Sequence, residues 1–406
     1  MIVCLGRLRS TSVCGLEKVA VAFATSYPWC EYGGSIPPYS LELLEEAMEC
    51  KTEVPRLEVE TEDSIFEIEF GQIQIEITGR CNMKCEHCRA SYQAQLDMPI
   101  DQIVKIVRFA RQFSPNYKEI ILSGGEPLMH RDFASVLIAV RNNGGEFITL
   151  TSNGSKLTRK HLDQVEELQF KRFVLSVSLD SLNPERHNTF RGHPGAFRSA
   201  VRALQMVAKR NSPTMVASMR STIQASQIDS MEEMVVFAKN IGCARVSFSA
   251  IHPAGRAIER PDLWMTREQK KAFLENLYRL KGAYPDLNIT TNDPLKCLLR
   301  GVHDIGTENE LVFDGCGAAA ITFNVNADGT MTPCALLNVP MMNVFPLSIS
   351  EITDRYRDNP IVRDMLTMNL HGKCGSCNLK YQCGGCRARA LVQLGDFLAE
   401  DPHCFA

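Results

Sequence analysis

Between residues 72 and 285 the chain alternates short β-branched runs with longer helical patterns, and this alternation restricts its fold more than any other feature. Strands are expected at Ile73–Thr78, Lys118–Ser123, Phe147–Thr151, Phe173–Leu179, Met215–Thr222 and Arg245–Ala250. Between them, spacings such as Ile103, Val107 and Ala110, or Val235, Phe237 and Ala238, gather apolar side chains on one helix face. Such alternation calls for parallel strands with helices packed outside the sheet.

The first strand leads into Cys81-x-x-x-Cys85-x-x-Cys88. Three thiolates within eight residues can hold three corners of a cubane iron–sulfur cluster, and no further cysteine follows until Cys243. A cluster meant only to carry electrons normally has every iron ligated, so an open corner points to binding and cleavage. Zinc, the usual partner of Cys-x-x-Cys pairs, wants a fourth ligand nearby, and His87 is confined to the same loop between two of the cysteines.

A second marker, Gly124-Gly125-Glu126-Pro127, closes the strand carrying Ile120, Ile121 and Leu122. Glycines allow close approach of a backbone to a ligand, and a glutamate can accept from an ammonium group. In this order, the cysteine triplet and Gly-Gly-Glu-Pro resemble the radical S-adenosylmethionine (SAM) superfamily. The resemblance implies an α/β fold built on a partial (β/α)6 TIM barrel, in which both markers fall at strand C-termini. It also implies that the open iron of a [4Fe-4S] cluster chelates the amino and carboxylate groups of S-adenosyl-L-methionine. Reduction, from a donor such as ferredoxin or flavodoxin, would release a 5′-deoxyadenosyl radical that abstracts a substrate hydrogen. By the same resemblance Gly124, Gly125 and Glu126 touch the methionine end of the cofactor. Ser152 and Asn153, in Thr-Ser-Asn-Gly, match the ribose-contacting part, while Ser178 and Arg191 match the pair near ribose and carboxylate. A guanidinium suits a carboxylate through its fork of donors. Ser152 also reads simply as a turn residue.

Past residue 290 the cysteines resume at Cys297, Cys316, Cys334, Cys374, Cys377, Cys383, Cys386 and Cys404. Asn326-Ala-Asp-Gly329 has the composition of a hairpin turn. The arrangement resembles a SPASM extension, which implies two auxiliary [4Fe-4S] clusters and hence three in all. Carried over by resemblance, Cys297, Cys316, Cys334 and Cys386 hold one auxiliary cluster, and Cys374, Cys377, Cys383 and Cys404 the other. Cys297 lies far from Cys316 and could instead be a buried thiol. Ala335 stands after Cys334, where the sulfatase maturases of this family carry a catalytic aspartate, which argues against formylglycine formation.

Three regions are expected: an N-terminal extension over 1–71, a radical SAM barrel over 72–285 and a SPASM domain over 286–406. In the first, Ser40 is a candidate N-cap for a helix bearing Leu44, Ala47 and Met48. Leu57 and Val59, then Phe66, Ile68 and Phe70, alternate as two strands, completing a small α+β unit. Seven acids against two bases in 51–70 suggest a solvated face, though a free sheet edge could take an extended peptide. Cys4, Cys14, Cys30, Cys50 and Cys243 lack ligand-like spacing and read as buried thiols. A helix is expected over Asp262–Pro285, and Pro253-Ala-Gly-Arg256 is read as a turn.

A net charge of −3, from 44 basic and 47 acidic residues, leaves no footprint for nucleic acid. No apolar run reaches membrane-spanning length, and metal-type cysteine spacing in a long chain suits a reducing cytoplasm. The leading expectation is a maturase that oxidatively cross-links a ribosomally made peptide. A tetrapyrrole side-chain-modifying enzyme of haem-biosynthesis type is the alternative, supported by the tail Cys386-Arg-Ala-Arg-Ala and Gly395 to Cys404. A non-catalytic iron–sulfur relay is a third reading, which neither the open cluster nor Gly-Gly-Glu-Pro favours. Tyr92, His130, Glu185 and His252 are candidate acid–base groups, each with a structural alternative.

Overall fold

The computed structural model describes residues 17–22, 56–91, 94–114, 119–300, 310–312 and 315–406. The expected helix after Ser40, Tyr92, and Cys4, Cys14, Cys30 and Cys50 lie outside the described residues.

Six parallel strands occupy the expected positions: β4 (Gln72–Thr78), β5 (Glu119–Gly124), β6 (Phe147–Ser152), β7 (Arg172–Ser178), β8 (Met215–Ile223) and β9 (Arg245–Ala250). They stand side by side in sequence order, as short right-handed crossovers require. The intervening helices are α1 (Ile100–Phe113), α2 (Phe133–Asn142), α3 (Arg159–Glu167), α4 (Pro184–Arg191), α5 (Ala196–Ala208) and α6 (Met231–Asn240), with α7 (Arg267–Ala283) leading away from β9. Alternation along β4 sorts its side chains. Ile73, Ile75 and Ile77 are fully buried, whereas Gln72 and Gln74 on the opposite face bond across to Glu119 and Ser123. Facing α1 buries Ile103, Ile106, Val107, Phe109, Ala110 and Phe113, a stripe at helical spacing.

The sheet does not stop at six strands. A short strand, β10 (Asn288–Thr290), pairs with β9 just past the boundary expected at 285. At the other edge β12 (Thr322–Val325) joins β4 in parallel and turns back through Asn326–Gly329 into β13 (Thr330–Thr332). Gly329 has φ +87°, which the expected hairpin turn requires. Phe70, Phe109, Phe323 and Tyr356 meet with ring centroids 4.9 to 6.3 Å apart, fastening this C-terminal strand to α1.

A smaller sheet has the order β11-β1-β3-β2, with β1 (Glu17–Ala22), β2 (Leu57–Glu60), β3 (Ser64–Ile68) and β11 (Glu310–Val312). β2 and β3 are the two expected strands; they pair antiparallel, with Leu57, Val59, Phe66 and Ile68 buried.

Candidate active site

The Cys81–Cys88 loop leaves the C-terminal end of β4 and is gripped by the loops beyond four other strands. From β5, Gly125 N–H donates to the Thr78 carbonyl and Glu126 N–H to the Arg80 carbonyl, each at 2.8 Å. A Cβ on Gly124 would lie 2.1 Å from Thr78 O, and one on Gly125 2.3 Å from Arg80 O. The close approach that these glycines permit is therefore to the chain's own backbone. From the loop after β6, Asn153 Nδ2 donates to Asn82 Oδ1 at 3.1 Å. From α4, beyond β7, the Phe190 carbonyl accepts from Glu86 N–H, and the Phe190 ring stacks on His87 at 4.2 Å. From the segment after β9, Arg256 donates its backbone N–H to Cys88 O and its guanidinium to Cys85 O, the latter at 2.5 Å. Pro253–Arg256, expected as a turn, bends into a short 3-10 helix, Gly255–Glu259, and acts as a clamp. Gly255 has φ +55°, and a Cβ there would stand 2.4 Å from the Cys88 and Arg89 carbonyls.

The residues expected to touch the cofactor converge on this rim. Glu126 is fully buried, and its carboxylate accepts from Ser152 Oγ (2.7 Å), Asn153 N–H (2.7 Å) and Leu128 N–H (3.2 Å). Its bonds thus tie β5 to β6, and burial raises its pKa. Ser152 Oγ also accepts from Gly154 N–H, as a turn residue would. Ser178 is buried at the end of β7. Arg191 pairs with Asp180 through Nε at 2.5 Å and Nη2 at 2.9 Å, leaving Nη1 3.8 Å from Cys85 Sγ. Asp180 is buried but is held near pKa 2 by the Arg191 guanidinium and neighbouring histidines. Sequence reasoning passed over Asp180 although it lies between Ser178 and Arg191; a carboxylate just past a strand end was the available signal.

The cysteines fall into three groups. Burial pushes the Cys81 thiol up to about 11, and Cys85 and Cys88 add to this at close range. Cys334 is pushed up to about 12 by burial, with Cys316 and Cys386 contributing. Cys404 is raised by burial, with Cys374 and Cys377 beside it, and Cys383 by burial with Cys297 and Cys404 beside it. Cys297 Sγ donates to Gln382 O at 3.0 Å, and its charge acts on Cys383, which is of the other expected set. Cys243 stands apart as a buried thiol. Among the described residues no three His, Cys, Asp or Glu side chains converge tightly enough for one metal ion. A cubane takes its ligands on separate irons and asks for wider spacing. Donors already face the sulfurs, with Met83 N–H 3.4 Å from Cys81, Leu337 N–H 3.3 Å from Cys334 and Asp401 N–H 3.4 Å from Cys374. His87 Nδ1 is a buried polar atom without a hydrogen-bond partner among the described residues. These features fit iron–sulfur ligation at the groups.

Buried charges position the tail. Lys270 on α7 pairs with Asp293 at 2.7 Å, and Arg389 bridges Asp293 (3.1 Å) to Asp401 (2.6 Å), all with side chains at most 1% exposed. Asp401 accepts from Cys386 N–H at 2.7 Å. Two positive and two negative groups balance, as burial demands. Of the acid–base candidates, His130 bonds to Met98 O and Asp132 N–H, and Glu185 is exposed. His252 is held neutral by burial, its pKa pulled down to about 3 with help from Arg389 and Lys270.

Barrel-interior Arg220 is in register with Ser178 and Ser247, and its side chain has no hydrogen-bonding or ionic partner among the described residues. Burial, then the charges of Arg89, Arg245 and Arg191, draws its pKa down to about 10. Arg89 reaches Glu76 at 2.5 Å. The interior therefore carries more positive than negative charge beside the cysteine loop.

Residues 75–238 match the radical SAM superfamily. The AdoMet-dependent heme synthase of Methanosarcina barkeri (strain Fusaro / DSM 804) is 28% identical, over 81% of this chain and 94% of that one. The antilisterial bacteriocin subtilosin biosynthesis protein AlbA of Bacillus subtilis (strain 168) is 23% identical, over 78% and 67%. Streptococcus suis SuiB bound to its precursor peptide SuiA superposes with TM-score 0.68 at 17% identity, over 83% of this chain and 76% of SuiB, a likeness of fold. Motif, barrel and match agree that residues 75–238 form a radical SAM domain.

Proposed function

We propose that this radical SAM enzyme is a SPASM-type oxidoreductase that oxidatively modifies a ribosomally made peptide in the cytoplasm. In this reading Cys81, Cys85 and Cys88 hold the SAM-binding cluster, and residues 286–406 hold two auxiliary clusters. Bound there with S-adenosylmethionine, the first cluster would supply a hydrogen-abstracting 5′-deoxyadenosyl radical, and the auxiliary clusters an acceptor for the substrate's second electron. The chain's own part is placement. Asp180 fixes Arg191 with its Nη1 directed at the Cys85 sulfur, where it can meet a carboxylate. Glu126 and Arg256 hold the loops around that point, keeping Ser152, Asn153 and Ser178 at one rim.

The observation that carries the peptide reading is a polar cavity of about 330 Å³ on the smaller sheet, along β2. Arg56, Glu58, Glu60, Arg357, Asp358 and Arg363 line it, and Arg357 already donates to the Glu58 carbonyl at 3.0 Å. An extended segment held at such an edge could be fed to a barrel on the other sheet. The names of the subtilosin biosynthesis protein and of SuiB with its precursor peptide support this reading. No helix among the described residues is long and apolar enough to cross a membrane.

A second reading, modification of tetrapyrrole carboxylate side chains, is favoured by the unpaired Arg220 and by the heme-synthase relative. Mass spectrometry separates the two. Co-expression with a short peptide encoded beside the gene should yield a product lighter by two hydrogens, dependent on Cys81. An unchanged peptide, with a porphyrin tetracarboxylate losing carbon dioxide instead, would overturn the peptide reading.

A further inference from the structure

His252 follows β9 at the barrel rim, and its imidazole Nδ1 lies 3.7 Å from the sulfur of Cys386, in the C-terminal segment. Cys386 is buried and faces Cys316 and Cys334. The separation decides between two roles. Ligands on separate irons of one cubane stand well beyond hydrogen-bond distance, so His252 and Cys386 are too close to be neighbouring ligands. The same separation suits an N–H donated to sulfur, whose bonds are longer than those to oxygen. A neutral imidazole has one N–H, and a thiolate at Nδ1 places it there. His252 Nε2 has no partner among the described residues.

The other sulfurs draw their donors differently. Cys334 accepts from Leu337 N–H, Cys377 from Leu379 N–H at 3.4 Å, and Cys374 from Asp401 N–H and, at 4.0 Å, Arg387. Those donors all belong to the C-terminal segment. Cys386 has a donor of that kind in Arg389 N–H, and the His252 imidazole reaches it from the barrel in addition.

We infer that His252 is a positioning residue that donates its Nδ1–H to the Cys386 sulfur and thereby raises the reduction potential of the cluster proposed on Cys316, Cys334 and Cys386. This rests on the auxiliary-cluster reading. Reduction adds negative charge that spreads onto the thiolates, and a donor to one of them stabilises the reduced state more than the oxidised. The contact joins the segment after β9 to the C-terminal segment.

The test is an EPR-monitored redox titration of the full-length, iron-loaded protein with His252→Phe and His252→Asn. In His252→Phe, iron content and the other midpoints should hold while one midpoint falls. At fixed potential its reduced-to-oxidised ratio should drop about tenfold, or ~59 mV for one electron. His252→Asn retains an N–H donor and should recover most of that loss. Unchanged midpoints in fully loaded His252→Phe would overturn the inference while leaving the clusters in place. Loss of the cluster in both variants would make His252 a ligand or scaffold and overturn it too. Wild-type protein containing only the Cys81 cluster would remove this inference and the auxiliary-cluster reading together.

Discussion

The Cys81–Cys88 loop is gripped through its backbone, whereas the C-terminal cysteines are hung on buried side-chain charges. Around the loop, Gly125, Glu126, Phe190 and Arg256 bond main-chain atoms, and Gly255 leaves no space for a side chain. In the tail, Arg389 joins Asp293 to Asp401, and Asp401 fixes the Cys386 backbone. A backbone grip fixes positions while leaving side chains to a ligand, which suits a site that must bind and release. A charge network holds distant segments in one arrangement, which suits a permanent group. The difference teaches that the two regions should fail separately.

The largest expected effect tests the network. Arg389→Met would leave the buried Asp401 carboxylate without an ionic partner and Asp293 with Lys270 alone, at a cost of about 3–5 kcal/mol. Denaturant unfolding should show that loss, and iron should be depleted from the tail while the Cys81 signal survives. Equal depletion at all groups would break the comparison.

A smaller effect is expected at the barrel rim. Arg256→Ala removes a charged donor to Cys85 O, about 1.5–3 kcal/mol of local hold. Gly255→Ala places a methyl against the Cys88 and Arg89 carbonyls. Both should lower occupancy of the SAM-binding cluster, read by EPR, and spare the tail. Loss confined to the tail would refute the backbone grip.

The smallest effect is on pH. His187, beside Asp180, has its pKa lowered to about 4 by burial, with Arg191 adding to this and Asp180 opposing. A depressed folded value means the unfolded chain binds the proton first, so stability present above about pH 6.5 declines as pH falls toward 4. Asp180, near 2, adds a further loss only below about pH 4. Thermal unfolding between pH 7 and 4 should show the earlier decline, and His187→Gln should make it less steep, the remainder coming from His87, His252 and His403, which burial lowers as well.

Much of the barrel was legible because each strand carries its own apolar alternation and each marker sits at a strand end. The hairpin at Asn326–Gly329 was legible from turn chemistry alone. The pairing of β12 with β4 was not, since residues 72–75 and 322–325 meet across most of the chain and four residues carry no register signal. Arg256 was read as part of a turn because its partner is a carbonyl, which leaves no mark in sequence. The run Cys386-Arg-Ala-Arg-Ala drew notice as a family tail, yet Arg389 is the centre of a buried network visible only after folding.

The most direct test of the account is 5′-deoxyadenosine formation by the reduced, iron-loaded protein supplied with S-adenosylmethionine. The account predicts cleavage by the wild type and none after Cys81, Cys85 and Cys88 are replaced by alanine. A fully loaded wild type that forms no 5′-deoxyadenosine would contradict it and leave an electron relay in its place.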